Sequence, residues 1–380
     1  RAAAGVVIIT TKKGKSGKTK ISFSQDVGFN KILRARGQRE FTATTAEALG
    51  AGNGALFTTA RNNGTLVDFE EEIYGEAGFI SNTSVNVSGG SDNTLFYAAF
   101  SNNEEDGIVK NTGYDRKSIR FNLDHDFLND RAKISLNTNY INSDADRGFF
   151  NNGNANRTIG YALAFTYPWE NLSAVDGVYP FGGAGSNVLE TIALTTNREN
   201  VNRFIGSAKS NIKILNGDKN RLKLVLEAGF DQYTLRTTSI FPRELTYFRD
   251  RSTLKGASIS GTTRNTNYNL SAFLVHNLSL NNGLQFTTQT GTFFQDFDRN
   301  TVISVGTGFN TSLTSLSLAE NLSSQQVVRL QRDTGFFVQE EINYDDRIIG
   351  TIGIRGDKAT NNGASDKMYY YPKANLAINL

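Results

Sequence analysis

The stretch RLKLVLEAGFD (221–231) changes polarity at almost every step. Leu222, Leu224, Leu226, Ala228 and Phe230 fall on one side of an extended chain, while Arg221, Lys223, Glu227 and Asp231 fall on the other. A period of two is the signature of a β-strand with one apolar and one polar face. The same alternation recurs at 20–29, 81–89, 94–103, 117–127, 132–140, 203–214, 267–280, 284–295, 335–344, 347–355 and 369–380. This predicts about twelve strands of about 9–15 residues, and a tilted strand needs about 9–11 to cross a bilayer.

The connections alternate as well. Tight turns are expected at 90–93, 128–130, 216–218, 281–283 and 344–346, where Asn, Asp and Gly supply the positive φ of hairpins. Between them lie longer connections at 31–79, 145–199, 237–263, 298–324 and 359–368, and one short one near 104–113. If the first strand runs outward, every tight turn falls on the same side. Short turns on one side and long loops on the other mark an outer-membrane β-barrel, with periplasmic turns and extracellular loops. A soluble sandwich would use shorter strands of about 5–6 residues and few such loops. The expected class is an all-β transmembrane antiparallel barrel. Leu222, Leu224, Leu226 and Phe230 should face lipid, and Lys223, Glu227 and Asp231 the lumen.

Composition agrees with that class. Hydrophobic residues make up only 38% of the 380, yet Phe (26) and Tyr (14) are abundant and Pro (4) is rare. No apolar run reaches the roughly 18 residues of a membrane helix. A barrel, with lumen-facing residues at alternate positions, stays polar on average. The net charge of +3 has no basic block, so no nucleic-acid partner is expected. With 0 Cys there is no thiolate site or disulfide.

Several local features carry a chemical reading and a plainer one. Strand-GKSGKT (14–19) suggests a phosphate loop, but the leading Gly position is Lys12 and a strand follows instead of a helix. A basic turn is the better reading. Asp124 and Asp126 share the polar face of one strand with Asn122. They suit a cation or sugar hydroxyl, or simply a polar lumen wall. His125 and His276 fall on apolar faces near a rim, and neither is expected to be a ligand. Glu104, Glu105 and Asp106 read as a solvated acidic tip. No catalytic constellation, cofactor site or metal site is expected, and the chain does not read as an enzyme.

The aromatics divide in two. Phe23, Phe29, Phe121, Phe127, Tyr140, Phe230, Tyr268, Phe294 and Tyr370 fall on lipid-facing positions and should feed the interfacial girdles. Others crowd 145–199, including Tyr161, Tyr167, Trp169 and Phe181. Rings beside Asn and Asp on a long outer loop suit a sugar or peptide, so these four are the candidate substrate contacts, with Trp169 and Tyr167 leading. Packing of the loop on itself, or docking of a lid, is the alternative.

RAAAGVVIITTKKGKSGKTKISF (1–23) resembles the plug-to-barrel junction of SusC/RagA-type TonB-dependent transporters, with Ala4 where that family commonly has Asn. Residues 84–127 and 336–380 look like its barrel segments. The resemblance implies that Arg1, Gly5, Thr10, Thr11, Lys12, Lys13 and Gly14 form the junction. It implies the end of a plug domain and hinge at 1–17 and the N-terminal part of a barrel at 18–380. The complete barrel would have about 22 strands. About twelve cannot close it, so the chain is expected to be a fragment. The family further implies residence in the outer membrane among its lipids, in Bacteroidota. TonB-ExbB-ExbD would energise import through the missing N-terminal region. A SusD-like surface lipoprotein would act as lid over an oligosaccharide or peptide. A siderophore or vitamin receptor without a lid, and a passive porin or adhesive barrel, are the alternatives.

Overall fold

A computed structural model describes residues 12–150, 158–182, 185, 187–249 and 254–379, with the side chain of Arg249 left aside. Twelve strands account for most of it. They are β1 (Gly17–Asn30), β2 (Gly78–Gly90), β3 (Thr94–Asp106), β4 (Gly113–Phe127), β5 (Ala132–Asp146) and β6 (Thr196–Asn216). There follow β7 (Asn220–Phe241), β8 (Ala257–Ser279), β9 (Leu284–Phe309), β10 (Ala319–Tyr344), β11 (Ile348–Ala359) and β12 (Tyr369–Ile378). They form a single sheet in sequence order, every neighbouring pair antiparallel, with β1 and β12 at its edges.

The expected tight turns all lie at one end of the sheet. Leu128, Asn129 and Asp130 take left-handed φ of 56°, 52° and 61°, as do Asp345 and Asp346 at 50° and 55°. Such runs reverse a twisted pair within a few residues.

Cross-strand register fixes the two faces. One row runs through Ile21, Val87, Ala98, Phe121, Thr138, Gly206, Phe230, Tyr268, Asp296 and Arg332. Ile21 stands four residues from the tight-turn end of its strand at Gly17, and Arg332 stands twelve from Tyr344. The row therefore climbs eight residues (twelve minus four) across nine strand steps. With about 3.3 Å per residue and about 4.8 Å between strands, this is a tilt of about 30°. That approaches the roughly 35–45° of membrane barrels.

All nine aromatics expected to face lipid lie on this row's face. Tyr268 and Phe294 stack at 6.3 Å, and Phe336 meets Tyr370 edge-on at 6.4 Å. Leu222, Leu224, Leu226 and Phe230 share the face. Lys223, Glu227 and Asp231 occupy the other, where Glu227 pairs with Lys209 at 2.6 Å. A one-residue slip would exchange the two faces and put charge into hydrocarbon. The charged face is not polar throughout. Phe273, Phe293 and Phe337 lie on it, and the Arg355 guanidinium covers the Phe293 ring at 4.7 Å. Gly335 makes room for that ring, since a Cβ there would come within 2.6 Å of it.

The strands exceed the expected lengths. Connections expected at 237–263 and 298–324 shrink to 242–256 and 310–318, because β7 to β10 run 22 to 26 residues. The added length mixes polar and apolar residues on both faces, with Val302, Leu322, Val328 and Leu330 on the lipid side and Ile303 and Val327 on the other. On the lipid side it carries the ion pairs Arg198–Asp144 at 3.3 Å and Arg332–Asp296 at 2.8 Å. Such segments belong above the apolar band, which is only about 25 Å tall. Without a continuous apolar face they carry no regular alternation in hydropathy, which is why the sequence reads them as loops.

Among the described residues, helices occur only in the long connections. The first holds α1 (Ala43–Glu47), α2 (Asn53–Asn63) and α3 (Phe69–Tyr74). The one between β5 and β6 holds α4 (Ile159–Ala164) and α5 (Val188–Leu194), and the next holds α6 (Thr246–Arg249). Their ends are capped locally. Asp68 accepts from the amides of Glu70 and Glu71, Asn187 from those of Leu189 and Glu190, and α2 stops at Gly64 with φ 66°.

Candidate functional site at the inner wall and outer loops

The stretch entering β1 lies against the charged face. Lys13 Nζ sits 3.2 Å from Asp124, which is 7% exposed and also accepts from the Ser135 hydroxyl. Asn122 Nδ2 donates to the Lys12 carbonyl at 2.7 Å. Gly14 passes so close to β3 that a Cβ would come within 2.5 Å of the Phe96 backbone. Lys12, Lys13 and Gly14 thus hold this segment on the wall that carries Lys209 and Glu227. Arg1, Gly5, Thr10 and Thr11, also expected at this junction, lie outside the described residues.

Asp124, Asp126 and Glu105 are engaged. Asp124 takes Lys13, and Asp126 takes Lys133 at 3.1 Å. Glu105 accepts from Asn30 Nδ2 at 2.7 Å. Each histidine meets a polar neighbour on the adjoining strand: His125 Nδ1 to Thr94 Oγ1, and His276 Nε2 to Asn220 Oδ1, both 2.8 Å. Among the described residues no three His, Cys, Asp or Glu are placed to hold a metal ion.

At the opposite end, separate connections share a core. Phe69 and Ile73 of α3 pack with Val109, with Ile159 and Ala162 of α4, and with Leu172 and Val188. A second core joins Ala46, Phe57 and Ala60 to Trp169. Trp169 is 9% exposed, stacks on Tyr167 at 4.8 Å, and meets Phe41 and Phe57 edge-on at 5.0 and 5.8 Å. Its Nε1 donates to Asn53 Oδ1 at 3.4 Å. This is the self-packing arrangement, and it leaves Trp169 little surface for a ligand. Tyr161 lies against Phe165 at 4.8 Å, and Phe181 is 45% exposed. The four aromatic candidates are therefore not equivalent: Trp169 and Tyr167 build the layer, while Phe181 keeps 45% of its surface exposed.

Glu190 ties two connections together, accepting from the amide and hydroxyl of Thr246 at 2.8 and 2.7 Å. In the first connection Glu47 accepts from the amides of Gly52 and Gly54, which hold its carboxyl below the usual range. Sequence reasoning missed both clamps, although Asn187 three residues before Glu190 is a readable helix cap. A cavity of about 650 Å³ opens beside these loops, with Asp106, Asp115, Asp144, Asp146, Arg147 and Phe149 in its wall.

A tilted antiparallel sheet with an aromatic outer belt and a polar, charged inner face is the wall of a transmembrane β-barrel. No family model matches the chain. Over its whole length it is 25% identical to TonB-dependent receptor P3 of Formosa agariphila, of which it covers 38%. Over 56% of its length it is 26% identical to TonB-dependent receptor SusC of Bacteroides thetaiotaomicron, covering 23% of that protein. Among solved structures, a chain of the RagAB peptide transporter superposes on 98% of it with TM-score 0.76 at 19% identity, covering 46% of that chain. The chain thus spans well under half of the curated relatives it matches.

Proposed function

We propose that this chain forms the first part of the barrel, with the end of a plug, of an energised outer-membrane importer of the SusC type. Residues 1–17 are assigned to plug and hinge and 18–380 to barrel wall. The observation that carries the reading is the contact of Lys12, Lys13 and Gly14 with the inner face, because a passive porin has no plug to join to its wall. The mechanism is the one the likeness to SusC-type receptors suggests. A surface lipoprotein lid delivers an oligosaccharide or peptide to the outer loops. Force from TonB-ExbB-ExbD, applied upstream, pulls the plug segment. The Lys13–Asp124 pair and the Asn122 bond are the wall contacts this pull would load.

Tyr161 and Phe181 are assigned to cargo contact, and Trp169 with Tyr167 to holding the layer that presents them. Glycan and peptide cargo both suit aromatic faces beside amides. The test is accumulation of labelled oligosaccharides and peptides by cells carrying the complete transporter, with and without TonB. The proposal expects accumulation only with TonB. Equal entry without it would make the protein a passive channel.

A further inference from the structure

One cross-strand row high on the inner face runs Arg203, Tyr233, Asn265, Arg299 and Arg329 across β6 to β10. Arg203 has a counter-ion: its guanidinium makes a two-pronged contact with Asp231 at 2.8 and 2.6 Å. Arg299 and Arg329 stand directly opposite each other and neither is paired with a carboxylate among the described residues. Their inner-face neighbours in the adjoining rows are Phe297, Gln331, Thr301 and Val327, none acidic. Like charges directly opposite on a sheet repel, and the row supplies nothing that offsets them.

Height separates this row from the plug contacts. Arg299 lies fifteen residues above Leu284, and Arg329 fifteen above Tyr344. At about 3.3 Å per residue and a tilt of about 30°, they stand about 43 Å from the tight turns. The apolar band is about 25 Å tall. The pair therefore faces the vestibule above the membrane, far from Lys13 and Asp124 near the opposite rim. A guanidinium pair matches a carboxylate or sulfate in charge and in donor geometry.

We propose that Arg299 and Arg329 form an anion-recognition site on the vestibule wall that selects cargo bearing carboxylate or sulfate groups. This rests on the import reading and narrows its substrate class. Asn265, 3% exposed between Tyr233 and Arg299, is covered by its neighbours and leaves the two guanidinium groups as the donors.

The test uses the complete transporter with its partner, and two matched probe pairs: galacturonate and galactose trimers, and capped triglutamate and triglutamine peptides. Binding and uptake are measured for the native protein, R299Q, R329Q, the double Gln variant and the double Lys variant. The expected result is preference for the charged member of at least one pair. The double Gln variant should lose that preference by about ten-fold or more, the double Lys variant should keep part of it, and raised salt should weaken it. Unboiled gel mobility checks that each variant assembles. Which pair responds tells uronate-type from peptide cargo, and inorganic sulfate as competitor tests the sulfate arm. Assembled Gln variants that import both members of each pair as before would overturn this inference and leave the import reading standing. Loss of neutral and charged uptake together would also overturn it, since a selectivity site spares neutral cargo.

Discussion

Leu226 and Ser271 test the assignment of faces, because they lie on neighbouring strands and opposite sides of the same sheet. Leu226 stands six residues from Asn220, which at a tilt of about 30° is about 17 Å above the tight turns, near the middle of the apolar band. It lines an apolar hollow with Leu270 and Phe294. Leu226→Arg places a guanidinium in hydrocarbon at a cost of about 2–4 kcal/mol. Ser271 pairs in register with Glu227 on the inner face, and its hydroxyl donates to that carboxylate at 3.4 Å. Ser271→Arg gains a charge partner and should cost under about 1 kcal/mol, since lumen substitutions are tolerated. The two variants should differ by at least about 1–2 kcal/mol, roughly a ten-fold change in the unfolding constant. Denaturant unfolding of the complete transporter in lipid vesicles, followed by tryptophan fluorescence and gel mobility, reads it. Equal costs, or a larger cost for Ser271→Arg, would mean the faces are reversed.

Other substitutions separate structural from recognition roles. Trp169→Ala should open the loop layer by about 3–5 kcal/mol locally, seen as faster proteolysis within 31–77 and 147–195 with strand protection unchanged. Phe181→Ala should leave proteolysis unchanged and weaken cargo binding. Gly335→Val should impair assembly, because even a Cβ there meets the Phe293 ring and the Asp357 carboxylate at 2.6 Å. Glu47 has a folded pKa below its ordinary 4.5, so its contribution is full above that value and lost as pH falls through the lower folded one. Hydrogen exchange at Gly52 and Gly54 should therefore lose protection on acidification, and Glu47→Gln should blunt that change.

The barrel was legible where one face meets lipid. Leu222 to Phe230 and Ile134 to Tyr140 alternate because hydrocarbon on one side and polar wall on the other impose it. Turns were legible from local chemistry, as at Leu128 to Asp130. The upper halves of β8 to β10 were not, since Thr262, Arg264 and Asp298 face water where lipid would demand apolar side chains. Nor was the site. Trp169 packs on Phe57, 112 residues away, and Lys13 reaches Asp124 across 111. No local pattern encodes such contacts. The same holds for Arg299 and Arg329, whose opposition depends on the register of two long strands.

The hinge offers the most direct test of the whole account, and residues 1–380 contribute no cysteine to compete with an introduced pair. Lys13→Cys with Asp124→Cys in the complete transporter can be joined by a short cleavable bis-thiol reagent. If the plug end must leave the wall for cargo to pass, the linked protein will bind cargo at the surface but accumulate none, and cleaving the linker will restore uptake. Fully linked protein that imports at the native rate would contradict the account.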